Sequence, residues 1–559
     1  MVRGRLADRI YYTRNKRLAT SNGNIAAAAR QSATAAVGKE PASIKSREME
    51  LKFLISVKDA NKIARLDWLK GKQRGRATIK NLRATYFDTP ELELLDARVA
   101  FRIRKEGRRW VQCVKTPERP SEGAFTRREW ETFVPRPEPD VSVFEDAETL
   151  KALPIATADR LQPAFETIVK RRRRLIEMAP GQMVALDMDR GVIKSGDKTE
   201  DVCELEMELV EGGPVAVFQL ALKLVEIVPL RLSSATKAQR GYRLLTGERP
   251  NWVKAAKPVL PKGVTAENGL GAVVRHCIGH LRANEQVAVN RGHVEGVHQM
   301  RVASRRLRSA LGIYKKLLPP EQYNHFDGEL KWLINAMGPA RDWDVFLDET
   351  LAPMANLPYG AKALDGLRQA AADARDQGYA LVAETLNSTR YGRLLLELAQ
   401  WVETRGWRDQ PVSEWSAMLF APAAVLAREV LNKRHKRLKR EGRHFKTLSP
   451  EDRHRLRIDV KKLRYATEFF SSLFPGGTNK KYSAALAVLQ DGLGKLNDVA
   501  VAQEGLKTLV EGAAKAGREN LNLAAGMVIG WQGHVANGEM EKLVKDWESF
   551  NARKPFWKD

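Results

Sequence analysis

From residue 47 to about 249, hydrophobic and polar positions alternate with a period of two, the pattern of strands that present one apolar and one polar face. Met49, Leu51 and Phe53 alternate with Glu48, Glu50 and Lys52, and Phe101 and Ile103 with Arg102 and Arg104. Arg127, Glu129 and Glu131 share a face, as do Arg171 with Arg173 and Asp187 with Asp189; Glu204, Glu206 and Glu208 oppose Cys203, Leu205, Met207 and Leu209. The spacing predicts helices over 60–69, 145–153 and 215–227 between these strands. Prolines at 258 and 261 then mark a linker over 250–265, and from about 266 the apolar residues recur at helical spacing. The expected fold class is α+β: an antiparallel β-barrel with flanking helices over 46–249, then an all-helical domain over 266–555.

The helical half contains an internal repeat. His454 lies 156 residues after His298, and the same shift relates Arg457 to Arg301, Lys461 to Arg305, Arg464 to Arg308, Phe470 to Tyr314, Pro475 to Pro319, Gly494 to Gly338 and Asp498 to Asp342. A gapless offset across so many matches predicts two homologous bundles related by a pseudo-two-fold axis.

Composition narrows the partner. A net charge of +26 points to a polyanion: nucleic acid, polyphosphate or an anionic membrane surface. Cys113, Cys203 and Cys277 are far apart and outside any CxxC spacing, which indicates neither a disulfide framework nor a zinc site and fits a reducing cytoplasm. The most apolar stretch, 215–230, is broken by Gln219, Lys223 and Glu226, so no membrane-spanning helix is expected. Residues 1–45, rich in Arg, Ala and Ser, read as a disordered basic tail rather than a transit-like address.

Charged rows on strands often do no more than face water. Here the signs are segregated: Glu204, Glu206 and Glu208 form an acidic row, while Arg102/Arg104 and Arg171/Arg173 form basic ones. With these faces inward, the acids would hold hard cations and the bases a phosphate chain, which together make a metal-dependent phosphohydrolase site without a nucleophilic Ser, Cys or His. Glu48-Met-Glu50-Leu-Lys52 resembles the ExExK signature of the CYTH family, the triphosphate tunnel metalloenzymes, whose members include inorganic and thiamine triphosphatases and class IV adenylate cyclases. Tyr86-Phe-Asp-Thr, Arg102-Ile-Arg104, Lys115-Thr, Arg127-x-Glu129, Arg171-x-Arg173, Cys203-Glu-Leu-Glu206-Met-Glu208-Leu and Lys237-Ala-x-Arg-Gly-Tyr242 follow in family order. The resemblance implies metal ligation by Glu48, Glu50, Glu204 and Glu206 with Glu129 assisting. Glu48, Glu50 and Lys52 would be catalytic, and Lys52, Arg102, Arg104, Lys115, Arg127, Arg171, Arg173 and Lys237 would line the triphosphate path. Asp187 and Asp189 both stand where the family shows one Asp, with Asp189 preferred as ligand. The implied cofactor is Mg2+ or Mn2+, and the fusion to a helical domain resembles bacterial inorganic triphosphatases.

In the helical half, His298, Arg301, Arg305 and Arg308 fall on one helix face, and His454, Arg457, Lys461 and Arg464 repeat the stripe. A charged helix face is usually just solvated. This one is duplicated, has no acid between 297 and 320, and sets like charges three and four apart, where they repel unless an anion neutralises them. The stripes, with Gly338-Pro-Ala-Arg-Asp342 and Gly494-Lys-Leu-Asn-Asp498 after them, resemble the CHAD domain, a family associated with inorganic polyphosphate binding. The eight stripe residues are thus the expected polyphosphate contacts. Nucleic acid ranks lower, because the stripes hold no aromatic platform among their bases.

The expected function is divalent-metal-dependent hydrolysis of inorganic triphosphate or short polyphosphate in the first domain, with polyphosphate bound by the second. The alternatives are a non-catalytic polyphosphate-binding or targeting protein, and a hydrolase of an organic triphosphate such as thiamine triphosphate or a nucleotide. The expected location is the cytoplasm, in association with polyphosphate granules.

Overall fold

A computed structural model describes residues 43–44, 49–116, 129–143, 153, 158–233, 235–356, 361–515 and 521–558. Most of the basic tail, Glu48, Arg127 and all but the last residue of the helix expected over 145–153 lie outside them.

Among the described residues, ten strands form one antiparallel sheet: β1 (Ser43–Ile44), β2 (Glu50–Leu54), β3 (Gln73–Asp88), β4 (Ala100–Glu106), β5 (Arg109–Lys115), β6 (Glu129–Val134), β7 (Gln162–Ala179), β8 (Gln182–Ser195), β9 (Lys198–Glu211) and β10 (Arg231–Leu232). Their order is β1-β6-β5-β4-β3-β7-β8-β9-β2-β10. Among the described residues the sheet is not closed, so the antiparallel fold expected from the sequence holds and the barrel is an open one. Its two ends, β1 and β10, are two-residue strands that pair inward with β6 and β2 and not with each other. β1 also falls within what the sequence pattern marks as tail.

Three short helices follow the early strands, α1 (Val57–Ala64), α2 (Asp67–Gly71) and α3 (Glu93–Asp96), and two follow β9 and β10, α4 (Val215–Val225) and α5 (Lys237–Thr246). The helix expected over 60–69 is two helices. Ser56 caps the first by accepting from the Asp59 amide, and the chain turns extended at Leu66 before α2 starts. The period-two pattern explains the layering. Leu51, Phe53, Leu186, Leu205 and Met207 point to one face, where Phe218, Leu220, Ala221 and Leu224 of α4 cover them. Their charged neighbours point to the other.

The helical half comprises α6 (Ala266–Val289), α7 (Val294–Tyr314), α8 (Pro320–Ala336), α9 (Gly338–Val345), α10 (Ala361–Leu386), α11 (Thr389–Glu403), α12 (Glu414–Ala417), α13 (Ala423–Glu441), α14 (Pro450–Phe470), α15 (Gly477–Lys515) and α16 (Asn522–Asn551). Both ends of α14 are displaced by 156 residues from those of α7, the sequence offset. Met300, Ala303, Leu307 and Leu311 form the buried stripe of α7. The copies differ where Pro339 stands: the chain breaks at Met337 and restarts as α9, whereas α15 runs uninterrupted through Gly494. Proline lacks the amide a continuing helix needs and is tolerated in a first turn.

The two halves share a packed seam. Leu396 and Ala399 of α11 lie in the same apolar cluster as α4 and the sheet, each fully buried leucine contributing about 2 kcal/mol. Gly392 makes the approach possible, since a Cβ there would meet the Leu230 carbonyl oxygen at 2.6 Å. The segment expected as a linker lies along α6. The Val253 amide donates to Asn284 Oδ1 at 2.9 Å, and His276 and His280 each place a ring nitrogen against the carbonyls of Ala256 and Val253 at 2.9 and 3.0 Å. No helix among the described residues is long and apolar enough to cross a membrane.

Candidate active site and anion-binding cluster

On the charged side of the sheet, register brings opposite signs together. Lys52 pairs across to Glu206, Asp187 to Glu206, Asp189 to Glu204, Arg171 to Asp189 and Arg173 to Asp187. Helix α5 closes this face. Thr236 and Gln239 form a capping box that starts the helix at Lys237. One turn on, Gly241 lies against Phe165 so closely that a Cβ would come 2.1 Å from the ring. Lys237 and Arg240 are thereby set down onto the acidic strands.

The resulting network is dense and buried. Lys237 Nζ lies 2.6 Å from Glu204 Oε2, 2.8 Å from Asp189 Oδ2 and 2.9 Å from Glu206 Oε1. Lys52 Nζ is 2.9 Å from the same Glu206 oxygen. Arg171 grips Asp189 with two donors at 2.7 Å, reaches Asp187 at 2.8 Å and also contacts Glu206. Arg173 joins Asp187 to Glu208 at 2.7 and 2.8 Å, and Arg240 Nη1 donates to Glu204 at 2.6 Å. Burial opposes the charged form of Glu206, yet Lys237, Lys52 and Arg171 hold its carboxyl well below the usual range. Burial likewise opposes the Lys237 ammonium, and Glu206, Glu204 and Asp189 outweigh it and raise its pKa well above normal. Oxygens of Asp189, Glu204 and Glu206 all lie within 4.8 Å of one another. Three hard oxygen donors at that spacing could hold a metal ion, and the Lys237 ammonium already marks the place where positive charge is favoured.

The helical half holds a cluster of the opposite kind. Arg301 is nearly buried, donates to the Ile334 carbonyl at 3.1 Å and lies 3.7 Å from Asp342; its repeat partner Arg457 lies 3.9 Å from Asp498. His454 Nδ1 sits 3.1 Å from Asn497 Oδ1. The two stripes converge, because Arg301 and Arg305 of α7 act electrostatically on Lys461 of α14, and Arg305 also on Arg457. Burial, then Arg341, Arg305 and Arg301, push His298 down to about 4, so it stands neutral at pH 7. Burial, then Arg305, push Arg301 down to about 10, and burial, then Arg457 and Arg305, push Lys461 down to about 7. Arg308 and Arg464 stand apart: Arg308 is paired with Asp327 at 2.6 and 2.9 Å, and Arg464 with Glu468 at 3.0 Å.

Comparison with known proteins assigns both halves. The CYTH domain model matches residues 46–242 and the CHAD domain model residues 272–507. The chain belongs to the CYTH–CHAD two-domain proteins. An inorganic triphosphatase of Haemophilus influenzae is 29% identical over 161 residues, 29% of this chain and 45% of that protein, so the chain matches less than half of that relative's length. An uncharacterized protein of Mycobacterium tuberculosis is 25% identical over 490 residues, 79% of this chain and 84% of its own length. Among solved structures, the CHAD domain from the plant Ricinus communis is 28% identical and covers 52% of this chain and 96% of its own, with a TM-score of 0.44. A putative adenylate cyclase from Bacillus halodurans is 22% identical and covers 34% of this chain and 96% of its own, with a TM-score of 0.24.

In the CYTH domain, Lys52, Arg171, Arg173, Asp189, Glu204, Glu206 and Lys237 meet in one network. Of the two aspartates, Asp189 joins the carboxylate trio and Asp187 is clamped between Arg171 and Arg173. Glu50 sits at the rim, its side chain 40% exposed and 3.7 Å from Lys52 Nζ. Arg102 and Arg104 meet another acid, Glu131, at 3.9 and 3.3 Å. Lys115 ends β5 and pairs in register with Glu129 of β6, while Glu48 and Arg127 fall outside the described residues. In the CHAD domain, His298, Arg301, Arg305, Arg457 and Lys461 form the cluster, and His454 stands exposed beside Asn497. Sequence reasoning gave no role to Arg240 or Arg341, although both lie inside quoted motifs. An Arg placed three residues after the helical Lys237, on the same face, was the available signal.

Proposed function

We propose that the CYTH domain hydrolyses inorganic triphosphate or a short polyphosphate with Mg2+ or Mn2+, and that the CHAD domain binds inorganic polyphosphate. The observation that carries the first part is the buried trio Asp189, Glu204 and Glu206 interleaved with Lys52, Lys237 and Arg171, since binding a polyanion alone needs no carboxylate cluster. Asp189, Glu204 and Glu206 would hold the divalent ion, which would supply charge neutralisation and polarisation of the phosphoryl oxygens. Lys237 and Lys52 place their ammonium groups beside the same carboxylates, where they would meet the phosphate chain. Arg171 and Arg173, braced by Asp187, hold fixed guanidinium forks against charge building on the leaving phosphate. For the CHAD domain the support is the convergence of two basic stripes, in which burial first and neighbouring cations second depress the pKa values of Arg301 and Lys461.

The deciding measurement is phosphate release from inorganic triphosphate, ATP and thiamine triphosphate with Mg2+, Mn2+ or chelator, alongside Glu50→Gln. Metal-dependent release that favours inorganic triphosphate and is lost in the variant supports the reading. One observation favours a second reading, a domain that binds without turnover: the Lys237 ammonium occupies the centre of the trio. Absence of release from every substrate, with or without metal, would select it.

A further inference from the structure

The carboxylates of the buried trio are oriented by different cations. Arg171 grips Asp189 through both oxygens at 2.7 Å and also contacts Glu206. Glu204, fully buried, is held instead by Arg240 of α5, whose Nη1 donates to Oε1 at 2.6 Å. The other two guanidinium nitrogens are engaged as well: Nε donates to Glu200 Oε1 at 2.7 Å and Nη2 to the Asp201 carbonyl at 2.5 Å. Glu200, Asp201 and Glu204 all belong to β9, so the fork grips one strand at three points and ties the Glu204 side chain to its own backbone.

The second oxygen of Glu204 is left for something else. Oε2 is buried and accepts no hydrogen bond among the described residues, although Lys237 Nζ lies 2.6 Å away. That same nitrogen lies 2.8 Å from Asp189 Oδ2 and 2.9 Å from Glu206 Oε1. One oxygen of each carboxylate therefore faces a common point, and for Glu204 the choice of oxygen is made by Arg240. A glutamate left to rotate would have to be ordered when a ligand arrives, and that cost would be subtracted from affinity.

We infer that Arg240 is a positioning residue of the metal site. It presents Glu204 Oε2 to the point shared by the trio without meeting substrate or metal itself, and Glu200 in turn holds Arg240. This rests on the reading of Asp189, Glu204 and Glu206 as metal ligands. Two other roles for Arg240 have different consequences. If it mattered only as a charge, its loss would strengthen cation binding, because one positive charge would leave the neighbourhood of Glu204. If it only supported the fold, a folded variant would bind metal as the parent chain does.

The test measures Mn2+ binding to the full chain by electron paramagnetic resonance, with urea midpoints on the same samples to establish that each variant is folded. Arg240→Lys keeps the charge and loses the fork, whereas Arg240→Gln loses both. Both are expected to weaken Mn2+ binding by about tenfold or more, the scale on which groups that orient metal ligands act. Glu200→Ala, at a side chain 41% exposed, leaves the trio and the arginine in place and is expected to weaken binding by about threefold. Tighter Mn2+ binding by Arg240→Gln overturns the inference, and so do folded variants at both positions that bind as the parent does. Should neither Arg240 variant fold, Glu200→Ala decides by the same criterion. A parent chain that binds no Mn2+ removes the metal reading and this inference with it; equal binding in parent and variants removes the inference alone.

Discussion

The two charged clusters of this chain are built from similar side chains and titrate in opposite directions. In the CYTH domain the network drives its groups toward the charged form: Lys237, Lys52 and Arg171 are raised while Asp189 and Glu206 are lowered. In the CHAD domain Arg301, Arg457 and Lys461 are lowered and Asp498 is raised, each toward the neutral form. Burial opposes charge in both places, so the difference lies in the partners. Acid and base alternate across strands in one, and base faces base across helices in the other. The first cluster is internally neutralised, which suits the proposed hydrolytic site. The second sets cation against cation with Asp342 and Asp498 beside them, and on the proposed reading an anion completes it.

The comparison breaks most visibly if the acids are removed. Glu206→Gln leaves Lys52, Lys237 and Arg171 facing a neutral amide, and is expected to cost about 3–5 kcal/mol of stability, as loss of one partner from a buried ion cluster does. The urea midpoint would fall, and metal-dependent phosphate release would fall by about a thousandfold. An unchanged midpoint would mean that the network is solvated and that its pKa shifts have another origin. In the other cluster the sign reverses. Arg305→Gln relieves repulsion, so stability is expected to rise slightly while polyphosphate affinity falls about tenfold, roughly 1.4 kcal/mol. A variant that loses both would place Arg305 in the structural framework rather than in an anion site.

Proton linkage sharpens the same contrast. Lys461 has a free-site pKa of about 7, and a bound anion can only raise it. Binding therefore takes up a proton above about pH 7, and affinity should weaken by up to about tenfold per pH unit from there to the bound-state pKa. Titration calorimetry in two buffers of different ionisation heat would count that proton, and Lys461→Arg should abolish it.

Much of this was legible beforehand because strand periodicity and repeat spacing are local signals. The alternation at 203–209 separates the acids that face the charged side from Leu205 and Met207, which face α4. The 156-residue offset anticipates the matching ends of α7 and α14. What was not legible depends on which elements meet. No strand pattern says whether a sheet closes, since closure needs β1 and β10 to pair and their two-residue length gives no register signal. The separation of Arg308 from the cluster follows from Asp327 on α8, whereas that of Arg464 follows from Glu468 four residues on in its own helix, a spacing the sequence did carry. Arg240 was hidden because its role depends on Gly241 letting α5 settle onto Phe165.

The last contrast lies at the seam between the domains, where neither kind of cluster is present. Glu285 of α6 is buried; it accepts from the Tyr391 hydroxyl at 3.1 Å and lies 3.7 Å from Arg231 of β10, the strand that pairs with β2 beside the CYTH site. Burial pushes its carboxyl up to about 7 despite Arg231. An acid whose folded pKa exceeds its unfolded value binds more protons when folded, so its contribution is complete below about pH 4.5 and is lost as pH rises through 7. Stability should therefore decline across that window, by at most about 3 kcal/mol. Glu285→Gln keeps an acceptor for Tyr391 without the titration, and should flatten the decline when urea midpoints are compared at pH 5 and 8. If the slope survives the substitution, the linkage belongs to other groups, and Glu285 holds the seam between α6, α11 and β10 through its hydrogen bond to Tyr391 and not through its proton.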